Sequence, residues 1–562
     1  MTHYVYIGGG ATATSLLVQH VKRLAACDRQ LLAGNSIQIT ILDRSGVFGP
    51  GVVYGSDVLP VHLLNMEARD MILDVDKPMA FSEWLEAKDA AGPVPAVPAA
   101  HRYASRHEFG EYLQIQLDET LCLASKIGVP VKLQKAEAIG LAALGPGPLA
   151  VECAHGERIV ADRVVLATGH WDSGLTAHCE ALGRQLRARS VGGLLHPWPA
   201  KDLQTAIPKD ADVGVLGTSL TAFDVVLSLF DDCGTWRGLD TARPYYTPDP
   251  KPRRVTLYSR HGFLPWIRPV PPAAHHQTPE FTKESIEAAA EQRNGQVGFD
   301  ELIEMFRRHL ESYLGEAVGD QQAFWRDFLH SGGRGCGDVT DRAMLSLASA
   351  LAAAEGPDDA WLRQYAGLRA SYSPIVHAYR RLSAQDRQRF DLEFYPPFNA
   401  RAAAIPALTG ARVLELLRLG LVRVVAGLHE IKADVENEAF ELRLGCEAGG
   451  QGRRFRWLVN AIGKDKSIAL DKCRLLDEAL RRGLISLHDA GGIRVDYEGS
   501  NVVDRHGRPS ARIFAIGPMT IGERMGASSM ASVSRFAGNL SEYFVGEIQA
   551  HAPDARLAPS IA

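Results

Sequence analysis

At 562 residues the chain has length for roughly three to four domains, so a large buried core is no difficulty. Hydrophobic residues make up 46% and charged residues 23%, a globular balance that excludes a disordered scaffold or a coiled-coil rod. The net charge of −5 leaves no basic surplus for a nucleic acid or an anionic membrane.

The N-terminus enters an apolar run at Tyr4 without a charged leader or cleavage site. No run approaches the ~18 apolar residues of a membrane helix. A soluble, cytoplasmic protein is expected. The eight cysteines (Cys27, Cys122, Cys153, Cys179, Cys233, Cys336, Cys446 and Cys473) are scattered, with no CxxC and no zinc spacing. In so large a chain they are expected to be reduced thiols rather than a disulfide framework, and no metal site is expected.

In chain order, residues 4–7 form a β-prone run followed at once by Gly8-Gly9-Gly10-Ala11-Thr12-Ala13. Residues 15–24 have helical character, and residues 37–42 alternate β-branched and apolar side chains before Asp43. Strand, glycine turn, helix, strand and acid make the first half of a dinucleotide-binding βαβ unit. Residues 28–36 read as an inserted loop that lengthens the usual spacing to the acid. A second such unit begins with a strand at 213–216, turns at Gly217-Thr218-Ser219, runs as a helix through Leu229 and returns as a strand at 255–258. Between them, residues 235–254 are rich in Pro, Tyr and charge and read as a surface excursion.

From 281 to 420 the pattern turns helical, with segments at 285–291, 299–314, 321–329 and 341–354. Strand character returns at 421–425, 440–444 and 457–463, then at 513–516 before a helix over 529–545. The expected fold is α/β, with two Rossmann-like dinucleotide-binding domains, the first discontinuous, and a mostly helical insertion. Its boundaries are drawn at 1–205 and 486–550 for the first domain, 206–280 and 421–485 for the second, 281–420 for the insertion and 551–562 for a frayed tail. No internal repeat is present beyond the two nucleotide-binding units.

In Gly8-x-Gly10-x-x-Ala13 two glycines serve the tight turn and a small residue lets helix pack on strand, so that backbone N–H groups face a pyrophosphate. Asp43 stands where a carboxylate accepts hydrogen bonds from a ribose diol. The second unit reads Gly217-x-Ser219-x-x-Ala222 and ends in Ser259-Arg260-His261. An arginine there suits a 2′-phosphate, so the contrast suggests FAD at the first unit and NADPH at the second; a plain surface arginine is the alternative. Thr168-Gly169 and Gly463 end apolar strands in small residues, where bulk would block a cofactor. Gly517-Pro518 and the helix start at Gly526-Ala527-Ser528-Ser529 would aim backbone N–H groups at an electron-rich ring edge. His170, His275 and His276 read as structural or surface histidines, and no acid/base dyad is assigned.

These stretches, with Asp43-Arg44-Ser45-Gly46-Val47-Phe48-Gly49-Pro50-Gly51-Val52-Val53-Tyr54-Gly55, His62-Leu63-Leu64-Asn65-Met66, Arg106-His107-Glu108-Phe109-Gly110-Glu111-Tyr112-Leu113, Ala167-Thr168-Gly169-His170, His196-Pro197-Trp198-Pro199 and Phe514-Ala515-Ile516-Gly517-Pro518, fall in one order over nearly the whole chain. So arranged, the chain resembles the bacterial FAD/NAD(P)-binding flavoproteins related to N-hydroxylating monooxygenases. Phe394-Tyr395-Pro396-Pro397-Phe398-Asn399-Ala400-Arg401 and Arg380-Arg381-Leu382 are similar to the subgroup of nitrosuccinate-forming aspartate N-monooxygenases.

The resemblance implies that Asp43 and Arg44 lie at the adenine ribose and that His62, Asn65 and Met66 run beside the isoalloxazine. Asn65 is then the catalytic candidate, a polar neighbour of the reactive flavin edge; a turn-capping amide is its alternative. The insertion's Arg380, Arg381 and Arg401 would clamp a substrate carboxylate, unless they lie on solvated helix faces. The implied reaction uses FAD, NADPH and O2 to N-oxygenate a primary amine through a C4a-(hydro)peroxyflavin, with aspartate the leading substrate. An NAD(P)H-dependent flavin dehydrogenase and a flavin-based redox sensor are the alternatives. A small-molecule substrate is expected, with no nucleic-acid or membrane partner, and the oligomeric state is open.

Overall fold

Thr2–Ile7 is buried along nearly its whole length because it pairs parallel on both edges, with Ile37–Asp43 and with Arg163–Leu166. It is an inner strand of a six-stranded sheet ordered Asn501–Val503, Pro509–Ala515, Arg163–Leu166, Thr2–Ile7, Ile37–Asp43 and Val131–Lys135. Only Asn501–Val503 runs antiparallel. This is the doubly wound order of a dinucleotide-binding fold. In the computed structural model, which describes residues 2–28, 32, 36–55, 57–90, 97–145, 147–171, 174–187, 193–239, 243–269, 281–314, 328, 336–356, 359–446, 452–462, 468, 470 and 473–550, this sheet belongs to the first of two units. That unit comprises residues 1–56, 67–174 and 466–562, and the second comprises 57–66 and 175–465.

In the first unit, helix Ala11–Ala25 and the long helix Met530–Ala550 pack against each other and both against the sheet. Two buried polar side chains of helix Ala11–Ala25 find partners across the packing. Gln19 Nε2 donates to the Ser534 carbonyl at 3.0 Å, and the Tyr6 hydroxyl meets His20 Nδ1 at 2.6 Å. Helix Arg106–Lys126 starts in a reciprocal cap: Ser105 Oγ accepts the Glu108 N–H at 3.1 Å, and the Glu108 carboxylate accepts the Ser105 N–H at 2.7 Å. An antiparallel sheet of Ala138–Ala143, Leu149–Cys153 and Arg158–Ala161, not foreseen from the sequence, contributes Leu141, Leu149 and Val151 to the core.

The second unit repeats the plan. Its sheet runs Gly337–Asp338, Val422–Ala426, Arg254–Ser259, Asp212–Leu216, Trp457–Asn460 and Leu194–Leu195, with only Gly337–Asp338 antiparallel. It also carries a three-stranded antiparallel sheet, Leu428–Asp434, Ala439–Leu444 and Arg453–Phe455. Inserted between Arg254–Ser259 and Val422–Ala426 are helices that include Lys283–Glu291, Phe299–Leu314, Thr340–Glu355, Asp359–Tyr379, Tyr395–Ala402 and Ala407–Arg418. Leu347 and Leu351 of one of them, with Leu414 and Leu417 of another, enter the same core as Val213, Val255 and Val424. The insertion is thus part of the unit's core.

Several sequence boundaries fall elsewhere. Leu59 and Val61 enter the second unit's core, as do Ala200 and Leu203. Leu475, Leu476 and Ala479 of helix Arg474–Arg481 instead pack with Val5 and Ile7 of the first unit. The expected surface excursion contains a hairpin of Gly234–Arg237 and Tyr245–Pro248 and ends in a fully buried arginine, Arg253. Arg253 donates to the carbonyls of Pro208 at 3.1 Å, Leu229 at 2.7 Å and Ile207 at 2.6 Å, and pairs with the Asp232 carboxylate. It closes the C-terminal carbonyls of helices Ala200–Ala206 and Leu220–Asp231, where donors and positive charge are both needed.

The expectation that all cysteines are reduced thiols is corrected at one pair. Cys336 and Cys446, 110 residues apart in sequence, form a disulfide with their Cα atoms 5.9 Å apart. Folding brings both to the Gly337–Asp338 edge of the sheet, a juxtaposition that no Cys spacing announces. The expected helix at 321–329 (Phe328 apart), most of the loop at 28–36, Gly463, His275, His276 and the tail at 551–562 lie outside the described residues. Among the described residues no helix is long and apolar enough to cross a membrane.

Candidate nucleotide and anion sites

In the first unit the carboxyl ends of the parallel strands converge on one edge. Gly8 sits there at φ +109, donating to the Leu42 carbonyl at 2.8 Å; a side chain on it would collide with the Ala167 carbonyl. Gly10 caps helix Ala11–Ala25, whose start has no side-chain cap and whose first turn has no acidic residue. Its leading N–H groups therefore point out of the helix toward any ligand, a ready anion site. Ala13 is fully buried, in the small-residue position against the sheet.

Asp43 ends the neighbouring strand, and its carboxylate spans the turn. Oδ2 accepts the Gly9 N–H at 2.9 Å, and Oδ1 accepts the Ser45 N–H at 2.8 Å and hydroxyl at 2.5 Å. Arg44 beside it is exposed. Ile516 donates to the Leu166 carbonyl at 3.1 Å, which places Gly517 next to Thr168 and Gly169. Thr168 Oγ1 contacts Met519 Sδ at 3.3 Å, and a side chain at Gly517 would approach Thr12 Oγ1 at 3.1 Å. Ser528 is half-buried just before helix Met530–Ala550. Gly8, Gly10, Ala13, Asp43, Thr168, Gly169 and Gly517 are thus brought to one edge. The open helix start, the close backbone approach at Gly8 and the carboxylate fit a dinucleotide.

The second unit builds the same cradle with different chemistry. Gly217, at φ +113, donates to the Tyr258 carbonyl at 2.7 Å, and a side chain on it would come within 2.7 Å of the Ala461 carbonyl. Ser219 caps helix Leu220–Asp231 with no side-chain cap bond and no acid in the first turn. Where the first unit has Asp43, this one has Ser259. The Ser259 hydroxyl accepts the Thr218 hydroxyl at 3.2 Å and the Gly262 N–H at 2.8 Å. Arg260 follows, exposed, its carbonyl accepting the Gly427 N–H at 3.1 Å. Burial, helped by the Arg260 charge, lowers the pKa of His261 below the usual histidine value, favouring the neutral ring. One cradle thus ends in an acid and the other in a cation.

Residues 57–66 belong to the second unit. His62 is fully buried, with Nε2 at 2.8 Å from Ser228 Oγ and 3.1 Å from the Asp224 carbonyl on helix Leu220–Asp231. Arg412 Nη1 holds the Val61 carbonyl at 3.1 Å. Asn65 and Met66 follow half-buried, and among the described residues the Asn65 side-chain amide makes no hydrogen bond. His62, Asn65 and Met66 therefore sit in a different unit from Asp43 and its neighbours.

The insertion's arginines differ sharply. Arg381 is held bidentately by Glu287, at 2.6 and 3.1 Å, and Arg380 is half-buried beside it in sequence. Arg401 is 5% exposed; its Nη1 donates to the Pro397 carbonyl at 2.9 Å and its guanidinium lies over Phe328 at 4.5 Å and Trp266 at 5.2 Å.

Sequence reasoning missed a second buried arginine, Arg268. The strip Trp266-Ile267-Arg268 pairs with Ile405: Ile405 donates to the Trp266 carbonyl at 2.8 Å, and Arg268 donates to the Ile405 carbonyl at 2.9 Å. Side chains alternate along such a strip. Ile267 enters the sheet's core, whereas Trp266 stacks on Trp361 at 4.1 Å and Arg268 donates to the Tyr365 hydroxyl at 2.8 Å. Its other partners are the Ala404 carbonyl at 3.1 Å and the Met66 thioether at 3.2 Å. Among the described residues no carboxylate pairs with it. An arginine flanked by apolar residues was the available signal, and nothing local says that it is buried.

A family model described as FAD-NAD(P)-binding matches residues 5–171, so the first unit carries an FAD/NAD(P)-binding domain. The chain as a whole is similar in fold to L-lysine 6-monooxygenase from Pseudomonas syringae, at 13% identity and TM-score 0.50 over 97% of this chain and 99% of that one. The FAD-bound cadaverine monooxygenase DfoA of Erwinia amylovora aligns at 14% identity and TM-score 0.48, over 97% of this chain and 94% of that one. An open crystal structure of cyclohexanone monooxygenase aligns at 15% identity and TM-score 0.44, over 98% and 88%. No curated protein matches by sequence.

Proposed function

We propose that this protein is a cytoplasmic FAD-dependent monooxygenase that uses NADPH and O2 to N-oxygenate the primary amine of a small anionic molecule, an amino acid with aspartate the first candidate. The observation that carries the reading is the pair of like-built cradles with opposite endings, Asp43 in one and Arg260 in the other. The acid suits a ribose diol and the arginine a 2′-phosphate. FAD would be held by Gly8, Gly10, Ala13, Asp43, Arg44, Thr168, Gly169, Gly517 and Ser528. Gly217, Ser219, Ser259 and Arg260 would hold NADPH. Bound FAD would supply hydride acceptance and oxygen activation, chemistry that belongs to the cofactor.

The chain supplies orientation and charge placement. Arg268 gives the substrate its anchor, with Arg401 as its companion. Among the described residues this buried guanidinium faces a hydroxyl, a carbonyl and a thioether and no anion that would repay its desolvation. A carboxylate brings that anion and accepts two parallel N–H bonds. Arg381, already neutralised by Glu287, is left to structure. Asn65, whose amide makes no hydrogen bond among the described residues, is assigned as the polar group at the reacting end, and His62 holds its segment.

The test is substrate-dependent oxygen uptake by flavin-loaded protein with NADPH, followed by product mass. Aspartate is tried first, then other amino acids and diamines. Amine-dependent uptake with a product heavier by oxygen supports the reading. NADPH oxidation that yields only peroxide or reduced acceptor with every amine would move the assignment to a dehydrogenase, and a chain that binds no flavin would end it.

A further inference from the structure

Cys336 and Cys446 are both exposed, so their disulfide is open to thiol exchange. Its position gives that exchange a consequence. Cys336 leads into Gly337–Asp338, a two-residue edge strand paired with Ala426 and Val425 and anchored beyond by the Val339 N–H, which donates to the Val424 carbonyl at 2.9 Å. Val339, next along, is buried against the turn of residues 259–262: a side chain at Gly262 would lie 2.9 Å from Val339 Cγ2 and 3.1 Å from Ala426 Cβ. Gly427 joins the two features. Its N–H donates to the Arg260 carbonyl at 3.1 Å, and a side chain on it would collide with Cys336 Sγ. From the other end, Gly445 donates to the Gly427 carbonyl at 2.9 Å, one residue before Cys446. Disulfide, Gly427 and the Arg260 turn form one contiguous packed path.

We infer that Cys336–Cys446 is a reversible modification site, a redox clamp on the turn that carries Arg260, taking a dithiol as its reductant. One thiolate of the dithiol attacks a sulfur of the bond, the S–S bond breaks, and a mixed disulfide forms. The second thiol resolves it. Two electrons and two protons leave the dithiol, which ends as a disulfide, and arrive at Cys336 and Cys446 as thiols. With the bond open, the edge strand separates from residues 425–427 and the turn loses its support. Weaker NADPH binding follows, a consequence that rests on the nucleotide assignment made above.

The experiment compares the air-oxidised and dithiothreitol-reduced full chain. Thiol titration after denaturation should find six of the eight cysteines in the oxidised form, the two of the disulfide being silent, and all eight after reduction. Hydrogen exchange at residues 259–262 and 425–427 should quicken roughly five-fold or more on reduction while Thr2–Ile7 stays unchanged. The double variant Cys336→Ser/Cys446→Ser should exchange like the reduced chain under both conditions. The NADPH Kd should rise at least about five-fold in parallel. Eight thiols in the oxidised chain, or unchanged exchange after verified reduction, would overturn the clamp. Faster exchange with an unchanged NADPH Kd would overturn its control of the cofactor. If NADPH bound neither form while exchange still quickened, the clamp would stand and the nucleotide assignment would fall.

Discussion

The backbone N–H of Gly9 donates to Oδ2 of Asp43 at 2.9 Å, so the glycine turn and the end of the neighbouring strand share one carboxylate. With Oδ1 engaged by Ser45, Asp43 fixes the turn before any ligand arrives. Charge-assisted bonds of this kind are worth ~1.5–3 kcal/mol each. Asp43→Ala should therefore weaken FAD binding by about ten- to a hundred-fold, read as flavin lost on dialysis and regained on titration. Gly8→Val meets the Ala167 carbonyl directly and should give colourless protein. A yellow Gly8→Val variant with full flavin content would contradict the assigned cradle.

At the second cradle the charge is the whole argument. Arg260→Ala should weaken NADPH binding by about ten-fold or more, the worth of one charged contact, and leave NADH nearly untouched. Steady-state titration with both cofactors measures it. Equal losses for the two would show that Arg260 shapes the turn rather than meeting a 2′-phosphate.

What the sequence made legible was local. Gly8, Gly10, Asp43, Gly217 and Ser259 lie within βαβ units whose spacing the backbone dictates, and each is found at a strand end or, for Gly10, at the start of the helix that follows. Segment 57–66 was not legible: Leu59 and Val61 are apolar in any environment, and only tertiary packing decides that they join Val213 and Val255. Burial of Arg253 and Arg268 was invisible for a related reason. An arginine is tolerated inside only where carbonyls or hydroxyls from distant segments converge on it, as Pro208, Ile207 and Leu229 do on Arg253. The Cys336–Cys446 pair likewise depends on closure across 110 residues.

Arg253 yields a stability prediction free of any cofactor. Its removal strands the Asp232 carboxylate and several helix-terminal carbonyls at once. Each buried carbonyl left without its donor costs ~1–3 kcal/mol, and the partly exposed Asp232 carboxylate loses its charge partner as well. Arg253→Met should lower the thermal midpoint of the second unit markedly, whereas Arg254→Met, one residue along at an exposed position, should change little. Calorimetry of the two variants beside the parent makes the comparison; equal midpoints for all three would mean that the carbonyls find other donors.

His20 predicts how stability depends on pH. Its ring is fully buried against Tyr4, Tyr6 and Phe544, and burial, reinforced by the Arg23 charge, lowers its pKa from 6.5 to about 3. Between those values the unfolded chain binds a proton that the folded chain refuses. Stability is therefore present above pH 6.5 and is lost as pH falls toward about 3, at ~1.4 kcal/mol per pH unit, or about 2 kcal/mol by pH 5. His3, His261 and His309 are lowered by burial as well and add slope of the same sign. His20→Gln keeps a polar group near the Tyr6 hydroxyl and removes the titration. Chemical unfolding of parent and variant at pH 7 and pH 5 should show the parent losing more stability than His20→Gln by about 2 kcal/mol. Parallel losses in the two proteins would mean that His20 takes up its proton in the folded state.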